Sequence, residues 1–481
     1  MVVGTVCIGA FIGQVDASII QLAMPSLEDA FDAPLHAVSW AAIGYVLAFA
    51  STLPLFARLA EIGGRKALYL TGFVLFALFS ALCGLATSLP TLIVFRLLQG
   101  AGGAMLGANS LVILVAAAGP ARRGKAIGIM AAAQAVGLSL GPALGGVLLS
   151  AFGWRSIFWV TVPFAILGAA LGWLIVPRTT ALAKDRRFDI GGAILVVPAL
   201  AAAMLTITQA QAWGLSAPLL VSAAVAASLL GAFVWRENRA PAPLIDLKLF
   251  RAANFSAGAV GVLVSYAMLY GMFFAISFAF VRGYHEPFFA AGLRLTVVPV
   301  ALALVAPFGG AASDKHPRLV MLAGTILSAV SALALTRLLT GGPASLPGVM
   351  ISLATFGVGL GLYIAPDNNA AMTAAPAAES GEAGGLLNLL RVLGTGVGVA
   401  SASAVLGFRL GGAGVAVRTA GTPDTVMLAA VGDTLVMVAA FGALGALMAI
   451  IRHEGPPPSP IVPRSGAQSR PGLDRELRRP N

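Results

Sequence analysis

The stretch PTLIVFRLLQGAGGAMLGANSLVILVAA, residues 90–117, decides the fold class of this sequence. Arg96 is its single charged residue. A helix needs about 20 apolar residues to cross the hydrocarbon core of a bilayer. The stretch is longer than that, so it predicts a transmembrane helix. The composition agrees: of the 481 residues 58% are hydrophobic and 10% are charged, whereas soluble domains carry about 25% charged residues.

Similar apolar runs continue on both sides of this stretch, separated by charged or Pro- and Gly-rich breaks. The first run contains an acid and lacks a basic leader, so we expect a first span rather than a cleaved signal peptide. The sequence predicts an all-α membrane protein with fourteen spans, at residues 2–24, 38–57, 67–87, 90–117, 126–151, 156–176, 190–210, 217–235, 254–281, 291–311, 318–339, 346–366, 384–407 and 428–451.

The basic residues predict the orientation of these spans. The net charge is +11, and the loops that follow even-numbered spans, together with the C-terminal tail, hold 22 of the 30 Lys and Arg residues, against six in the opposite loops. Because cytoplasmic loops of membrane proteins are enriched in Lys and Arg, both termini are expected in the cytoplasm of a bacterial inner-membrane protein. The same bias explains the positive charge without nucleic-acid binding.

An internal repeat indicates how the spans are grouped. Residues 54–65 and 307–318 each hold a Pro, an acid and an Arg at one common offset, each time after the second span of a six-span unit. Repeated helix bundles are common in transporters. The predicted units are an N-terminal six-helix bundle at 1–177, two inserted transmembrane helices with linkers at 178–250, a C-terminal six-helix bundle at 251–452 and a disordered cytoplasmic tail at 453–481.

The loop after span two, residues 57–66, reads ARLAEIGGRK. It resembles the loop 2–3 signature of the major facilitator superfamily, Gly-x-Leu-Ala-Asp-Arg-x-Gly-Arg-Arg/Lys, although Ala57, Glu61 and Ile62 depart from it. An acid flanked by cations can join helix ends through charge-assisted hydrogen bonds, which suggests a gate; the alternative is an ordinary basic loop. The residues assigned to this gate and its repeat are Arg58, Glu61, Gly64, Arg65, Lys66, Asp314 and Arg318.

Spans four and five carry two further motifs. Residues 92–104 hold an Arg, a Gln and a Gly where the superfamily's span-four motif has them, and residues 137–146 read GLSLGPALGG. The second string resembles the span-five pattern of antiporters in this superfamily. Glycines at every fourth position form a bare stripe that permits close helix approach, so generic packing is the alternative. The antiporter-helix residues are Gly137, Gly141, Pro142, Gly145 and Gly146.

Span one, residues 11–25, reads FIGQVDASIIQLAMP. It resembles the first span of the fourteen-span drug–proton antiporters, with their embedded Asp and Leu-Ala-x-Pro ending, while Gln21 stands where Asn is usual. The resemblance continues through residues 154–163, 357–366 and 384–398. It implies the major facilitator fold, with two six-helix bundles and two inserted helices, and proton-coupled export of small hydrophobic or amphipathic compounds by alternating access.

Asp16 and Arg96 are the predicted proton-coupling residues. They are expected roughly 12 Å and 9 Å from the outer ends of their spans, from the helical rise, so the two charges lie at comparable depth and can compensate each other. Burial favours the neutral acid and a nearby guanidinium favours the carboxylate. Movement between a wet and a closed cavity would therefore load and release a proton. The alternative is an acid that only braces a helix.

Further polar residues are candidates for the substrate cavity, each with a simple interhelical hydrogen bond as the alternative: Gln14, Asn109, Gln134, Tyr266, Tyr270 and Asn388. Asp367 and Arg391 are expected at the cytoplasmic ends of adjacent spans and are predicted to pair. No metal cluster is predicted from the four scattered histidines, and no cofactor is expected.

Other function classes have less support. The sequence has no Gly-x-Ser-x-Gly elbow, no zinc-binding His pair and no Walker phosphate loop, so neither an enzyme nor an ATP-driven pump is predicted. The open alternatives are a proton-coupled uptake symporter for a small metabolite and a receptor or scaffold without transport. The expected partners are a small-molecule substrate, protons and the lipid bilayer, and the chain is expected to act as a monomer.

Overall fold

The structure of the chain is a computed structural model. It describes residues 1–119, 122–177, 189–241, 243–313, 315–376, 379–412 and 417–452. Within these ranges the chain contains helices and turns and no β-strand. The predicted disordered tail at 453–481 and Asp314 of the predicted gate lie outside the described residues.

Fourteen of the described helices are long and apolar enough to cross a membrane, which confirms the predicted all-α fold. In chain order they are α1 Val2–Phe31, α2 Leu35–Gly63, α3 Arg65–Gly84, α4 Leu89–Ala118, α5 Arg123–Phe152, α6 Ser156–Ile175, α7 Gly191–Trp213, α8 Ala217–Glu237, α9 Ala253–Gly283, α10 Phe288–Ser313, α11 Pro317–Gly341, α12 Leu346–Ala374, α13 Gly381–Gly411 and α14 Asp424–Ile451.

The helices pack as two groups and a hairpin. Helices α1–α6 pack on one another, and so do α9–α14. The first group meets the second where α1 lies on α9, α2 on α13 and α5 on α10. α9 is the most enclosed helix, since 83% of its most apolar window is buried. The residue limits of the predicted units stay a prediction.

The hairpin α7–α8 packs outside the two groups. α7 contacts both α2 and α13, and α8 contacts α7. Gln211 of α7 donates a 2.8 Å hydrogen bond to the carbonyl of Gly412, at the end of α13. Arg236 of α8 and Asp189, which precedes α7, form a 2.7 Å ion pair that joins the hairpin's two ends. The hairpin therefore packs beside the contact between α2 and α13, which is one of the contacts between the two groups.

Several spans continue beyond their predicted ends. α1 runs through Pro25 to Phe31, and α12 runs through Pro366 to Ala374. A proline inside a helix removes one backbone donor and bends the axis, but packing on neighbouring helices sustains the helix past that point. The sequence predicts that these spans end at residues 24 and 366, at or next to the prolines. Because α12 continues to Ala374, Asp367 lies inside α12 rather than at its end.

Candidate functional site

The Asp16–Arg96 pair is the centre of the candidate site. Nη1 of Arg96 lies 2.9 Å and 2.8 Å from the two carboxylate oxygens of Asp16. Both side chains are almost completely buried, at 1% and 2% exposure. A charge inside a membrane is costly unless it is paired, and here each charge compensates the other. The two charges, which the sequence predicts at similar depth, are thus in contact between α1 and α4. Their role in proton coupling stays a prediction.

Three further groups complete the surroundings of Arg96. Gln99 accepts a 2.7 Å bond from Nη1 through Oε1 and donates a 3.0 Å bond to Asp16 through Nε2. The carbonyl of Ala41 accepts from Nε at 2.7 Å. The ring of Tyr45 lies 4.5 Å from the guanidinium carbon, within the range of cation–π attraction. Gln99 belongs to the span-four motif, but the sequence predicts no contact with Arg96 for any of these three residues.

Glycines on α4 bring α2 close enough for these contacts. A Cβ at Gly100 would collide with the carbonyl oxygen of Tyr45, and a Cβ at Gly103 would lie 2.6 Å from its hydroxyl. Small residues allow the backbones of membrane helices to approach closely. The Gln-Gly pair in the span-four motif thus has a physical reason, because Gln99 binds the acid and Gly100 lets α2 supply a carbonyl to the arginine.

The glycine stripe of α5 packs on α1. A Cβ at Gly137 would lie 2.6 Å from the carbonyl oxygen of Phe11, and one at Gly141 would collide with the hydroxyl of Ser18. Gly145 faces Ile19 in the same way, at 2.8 Å. Ser18 and Ile19 follow Asp16 within one helical turn. The stripe therefore fixes the part of α1 that carries the acid.

The rest of the antiporter motif faces the second helix group. A Cβ at Gly146 would lie 2.6 Å from the carbonyl oxygen of Phe288, and one at Gly292 of α10 would collide with the carbonyl oxygen of Pro142. Small residues at these positions allow the two backbones to approach closely. α5 thus contacts both α1 and the opposite group of helices.

Four of the six predicted cavity residues lie around one region between the groups. The hydroxyl of Tyr270 on α9 donates to Oε1 of Gln14 on α1 at 3.5 Å. Nη2 of Arg391 on α13 donates to Oδ1 of Asn388 at 2.6 Å, and its guanidinium carbon lies 5.8 Å from the ring centre of Tyr266. These side chains are half-buried except for Tyr270, which is buried.

The remaining two cavity candidates lie elsewhere. Asn109 is buried, and its amide donates to the carbonyl of Met105 in its own helix at 2.8 Å. Gln134 is half-buried on α5, one turn before the glycine stripe. The structure does not bring either of them together with Tyr270 and Arg391 through a described hydrogen bond.

The predicted gate forms a small ionic cluster. Oε2 of Glu61 lies 2.7 Å from Nη1 of Arg58, and its Oε1 lies 3.7 Å from Nη2 of Arg65 on the next helix. Gly64 joins α2 to α3 at a φ of 96°, which favours glycine.

The predicted gate has two other described residues, Lys66 and Arg318. Lys66 donates to the carbonyl of Trp173 on α6 at 2.7 Å. Arg318 lies half-buried at the start of α11.

The predicted pairing of Asp367 with Arg391 is wrong. Oδ1 of Asp367 lies 2.6 Å from Nη2 of Arg452, at the end of α14, and both side chains are buried. Because α12 continues past Pro366, Asp367 turns towards α14 and away from α13. Gly258 and Gly261 of α9 leave the space for this pair, since a Cβ at Gly261 would lie 2.5 Å from Asp367 Oδ1.

A cluster that the sequence did not predict lies at the helix ends that the predicted topology places outside. Arg282 of α9 donates to Asp29 at 2.6 Å and to the carbonyl of Pro25 at 2.9 Å, and it lies 3.6 Å from Glu28. Glu28 is buried and accepts a 2.5 Å bond from the amide of Thr419. We call these five residues the outer clasp, because they join the two helix groups.

Two more contacts lie beside the outer clasp. Arg418 pairs with Asp32, and the amide of Leu35 donates to the carbonyl of Val417 at 2.9 Å. The available sequence signal was the Glu-Asp pair following Pro25, together with a lone Arg at the end of span nine. Polar contacts therefore join the two groups on the side that the predicted topology places outside.

The described residues contain no group of three or more His, Cys, Asp or Glu side chains that could hold a metal ion. The chemistry available at the site is instead that of a carboxylate in contact with a guanidinium. Such a pair can exchange one hydrogen-bonding partner for another.

The chain is similar in sequence to known membrane transporters and resistance proteins. The family model described as Major Facilitator Superfamily matches residues 6–399. The riboflavin transporter RibZ of Clostridioides difficile (strain 630) is 30% identical over 82% of this chain and 85% of its own length. The multidrug resistance protein Stp of Mycobacterium tuberculosis (strain H37Rv) is 32% identical over 83% and 74%. The methylenomycin A resistance protein of Streptomyces coelicolor is 32% identical over 83% and 84%.

Solved structures of transporters share the fold at low sequence identity. A bacterial homologue of the human lysosomal transporter Spinster, in an inward-facing and occupied conformation, gives a TM-score of 0.66 at 16% identity, over 94% of this chain and 96% of that one. The POT family transporter PepTSo gives a TM-score of 0.65 at 14% identity, over 94% of this chain and 97% of that one.

Proposed function

The chain belongs to the major facilitator superfamily, and from that premise we propose that it is a proton-coupled exporter of small hydrophobic or amphipathic compounds. It is a multi-pass membrane protein. We place it in the bacterial cytoplasmic membrane as a monomer without a cofactor, with both termini in the cytoplasm as the basic loops indicate.

The buried Asp16–Arg96 pair is the observation that carries this proposal. Asp16 lies 2.8 Å from Arg96 with both side chains buried, and acids inside membrane spans are typical of proton pathways. The names of the relatives Stp and the methylenomycin A resistance protein support export.

Polar contacts between the two helix groups at the predicted outer end support alternating access. The outer clasp joins α1 to α9. Beside it, Arg418 and Asp32 form a further ion pair between the groups. A protein of this kind would receive substrate from the cytoplasm or inner leaflet in this state. It would then open outward when the clasp separates and Asp16 takes up a proton.

The test uses everted membrane vesicles, acidified by respiration, with a panel of amphipathic dyes of both charges. We expect dye accumulation inside the vesicles and an accompanying loss of protons, both abolished by a protonophore. Asp16→Asn should remove the proton dependence because the amide cannot exchange a proton. Asp424→Asn, at an exposed acid on the outer end of α14, is the matched control and should transport normally.

Proton-coupled uptake of a metabolite is the second candidate, because the relative RibZ is named a riboflavin transporter. Uptake would appear as proton-dependent loss of preloaded riboflavin from the same everted vesicles. Export of the dyes without any effect on riboflavin would exclude riboflavin uptake. Full proton-driven export by Asp16→Asn would show that our assignment of the proton site is wrong.

A further inference from the structure

A second arginine lies inside the spans, and its environment differs from that of Arg96. Arg391 is ten residues from the start of α13 at Gly381, or roughly 15 Å along the helix axis by the usual rise. In the described part of the chain its hydrogen-bond partner is the neutral amide of Asn388, at 2.6 Å. No acidic side chain there lies within ion-pair distance of it. The charge of Arg391 is thus uncompensated in this state.

This matters because an unpaired charge in a membrane protein is costly and marks an ion or substrate path. A guanidinium has five N–H donors in a planar fork, and Asn388 uses one nitrogen. Arg96, in comparison, is 1% exposed and already bound to an acid, an amide and a carbonyl. Arg391 is half-buried and retains donors for a further partner.

The surroundings of Arg391 fit an amphipathic partner. The ring of Tyr266 lies 5.8 Å from its guanidinium carbon. Tyr270 and Gln14, 3.5 Å apart, supply polar atoms from both helix groups. One turn before Asn388, a Cβ at Gly385 would meet no atom within 4 Å. Pockets that combine apolar walls with a few placed polar groups are typical of small-molecule sites.

Resting on the proposed function, we propose that Arg391 is the counter-ion for an anionic group of the substrate, so that carboxylate- or phenolate-bearing amphipaths are preferred over cationic ones. The planar guanidinium binds carboxylates through paired hydrogen bonds. A cationic compound at the same place would face an uncompensated like charge in a low-dielectric region, which disfavours binding.

The experiment measures binding rather than transport, with the purified full chain in lipid nanodiscs. The probes are fluorescein, which is anionic, and rhodamine 6G, which is cationic and shares the xanthene ring system. We expect wild type to bind fluorescein more tightly than rhodamine 6G. Arg391→Gln should weaken fluorescein binding at least about tenfold, the scale of one lost charge-assisted hydrogen bond, and should not weaken rhodamine 6G binding.

Two variants separate a binding role from a structural one. Arg391→Lys keeps the charge but loses the fork, so it should retain part of the preference for fluorescein. Arg409→Gln, on the same helix but paired with Asp433 at 3.1 Å, should change neither affinity. Equal losses for both dyes in Arg391→Gln, or no fluorescein binding by wild type, would overturn the inference.

The same data separate this inference from the proposed function. A preference for fluorescein that depends on Arg391, without proton-driven flux in vesicles, would refute export while the anion site stands. Proton-driven export of rhodamine 6G that Arg391→Gln leaves unchanged, with equal binding of the two dyes, would refute the anion site while export stands.

Discussion

Removing one partner of the Asp16–Arg96 pair should destabilise the protein more than removing both charges. Arg96→Met keeps most of the side-chain volume but deletes the donors to Asp16, Gln99 and the Ala41 carbonyl. Asp16 would then be a buried carboxylate with Gln99 as its described side-chain donor, at 3.0 Å. Asp16→Asn in the same chain removes the leftover charge.

The size of the effect follows from the burial of both groups. Breaking a buried ion pair on one side costs about 3–5 kcal/mol, because the remaining charge is uncompensated. With an unfolding entropy of about 2.1 cal/mol/K per residue, 481 residues give roughly 1 kcal/mol per kelvin. Arg96→Met should therefore lower Tm by roughly 3–5 °C. The double variant should recover part of that loss, with a coupling of about 0.5–3 kcal/mol.

A thiol-reactive fluorogenic dye offers a direct assay. Cys83 is fully buried, and its sulfur lies 3.8 Å from Oε1 of Gln99, so it reacts when this region opens. Cys7 is partly exposed and should be replaced by Ala in all variants to remove its background. Arg337→Met, at an exposed position on α11, controls for general loss of a positive charge.

Two results would refute this reasoning. If Arg96→Met unfolds at the wild-type temperature, the guanidinium does not compensate Asp16 in the folded protein. If the double variant loses as much free energy of unfolding as Arg96→Met and Asp16→Asn lose together, the two charges do not interact, whatever their distance in the structure.

Three further predictions concern other parts of the molecule. Gly141→Ala should lower transport and stability because its methyl group would meet Ser18, whereas Gly128→Ala, with no neighbour within 4 Å, should be silent; vesicle flux and thermal unfolding measure both. Arg282→Gln should weaken the outer clasp and so favour the outward-open state. A cysteine introduced into the cavity should then be labelled faster by an impermeant maleimide added from outside. Arg337→Gln should leave the labelling rate at the wild-type value. A reporter that is active only in the cytoplasm should be active when fused to the C-terminus. Activity of a periplasmic reporter at the same position would show that the proposed topology is inverted.

The sequence predicted the fold well because hydropathy and charge report directly on lipid and water. Fourteen apolar runs became fourteen helices. The contact between α1 and α4 was within reach too, since Asp16 and Arg96 each stood as a lone charge at similar depth. Such intramembrane charges have few ways to be compensated.

The rest of the site needed three-dimensional information. Side chains on different helices meet according to helix length and rotation, which the sequence pattern fixes poorly. Asp367 shows this, because extending α12 past Pro366 changed its partner from Arg391 to Arg452. The outer clasp shows it as well, since Glu28 and Thr419 are nearly four hundred residues apart in the chain.

The pairing of Asp16 with Arg96 within one helix group has an electrical consequence. While the pair is intact it is neutral, so in the proposed mechanism a rotation of that group would move no net charge from this site through the membrane potential. Protonation of Asp16 would leave the positive charge of Arg96 uncompensated, and each elementary charge crossing 100 mV is worth about 2.3 kcal/mol. Voltage would then act at this site on one protonation state alone, and current recordings from wild type and Asp16→Asn should reveal the difference.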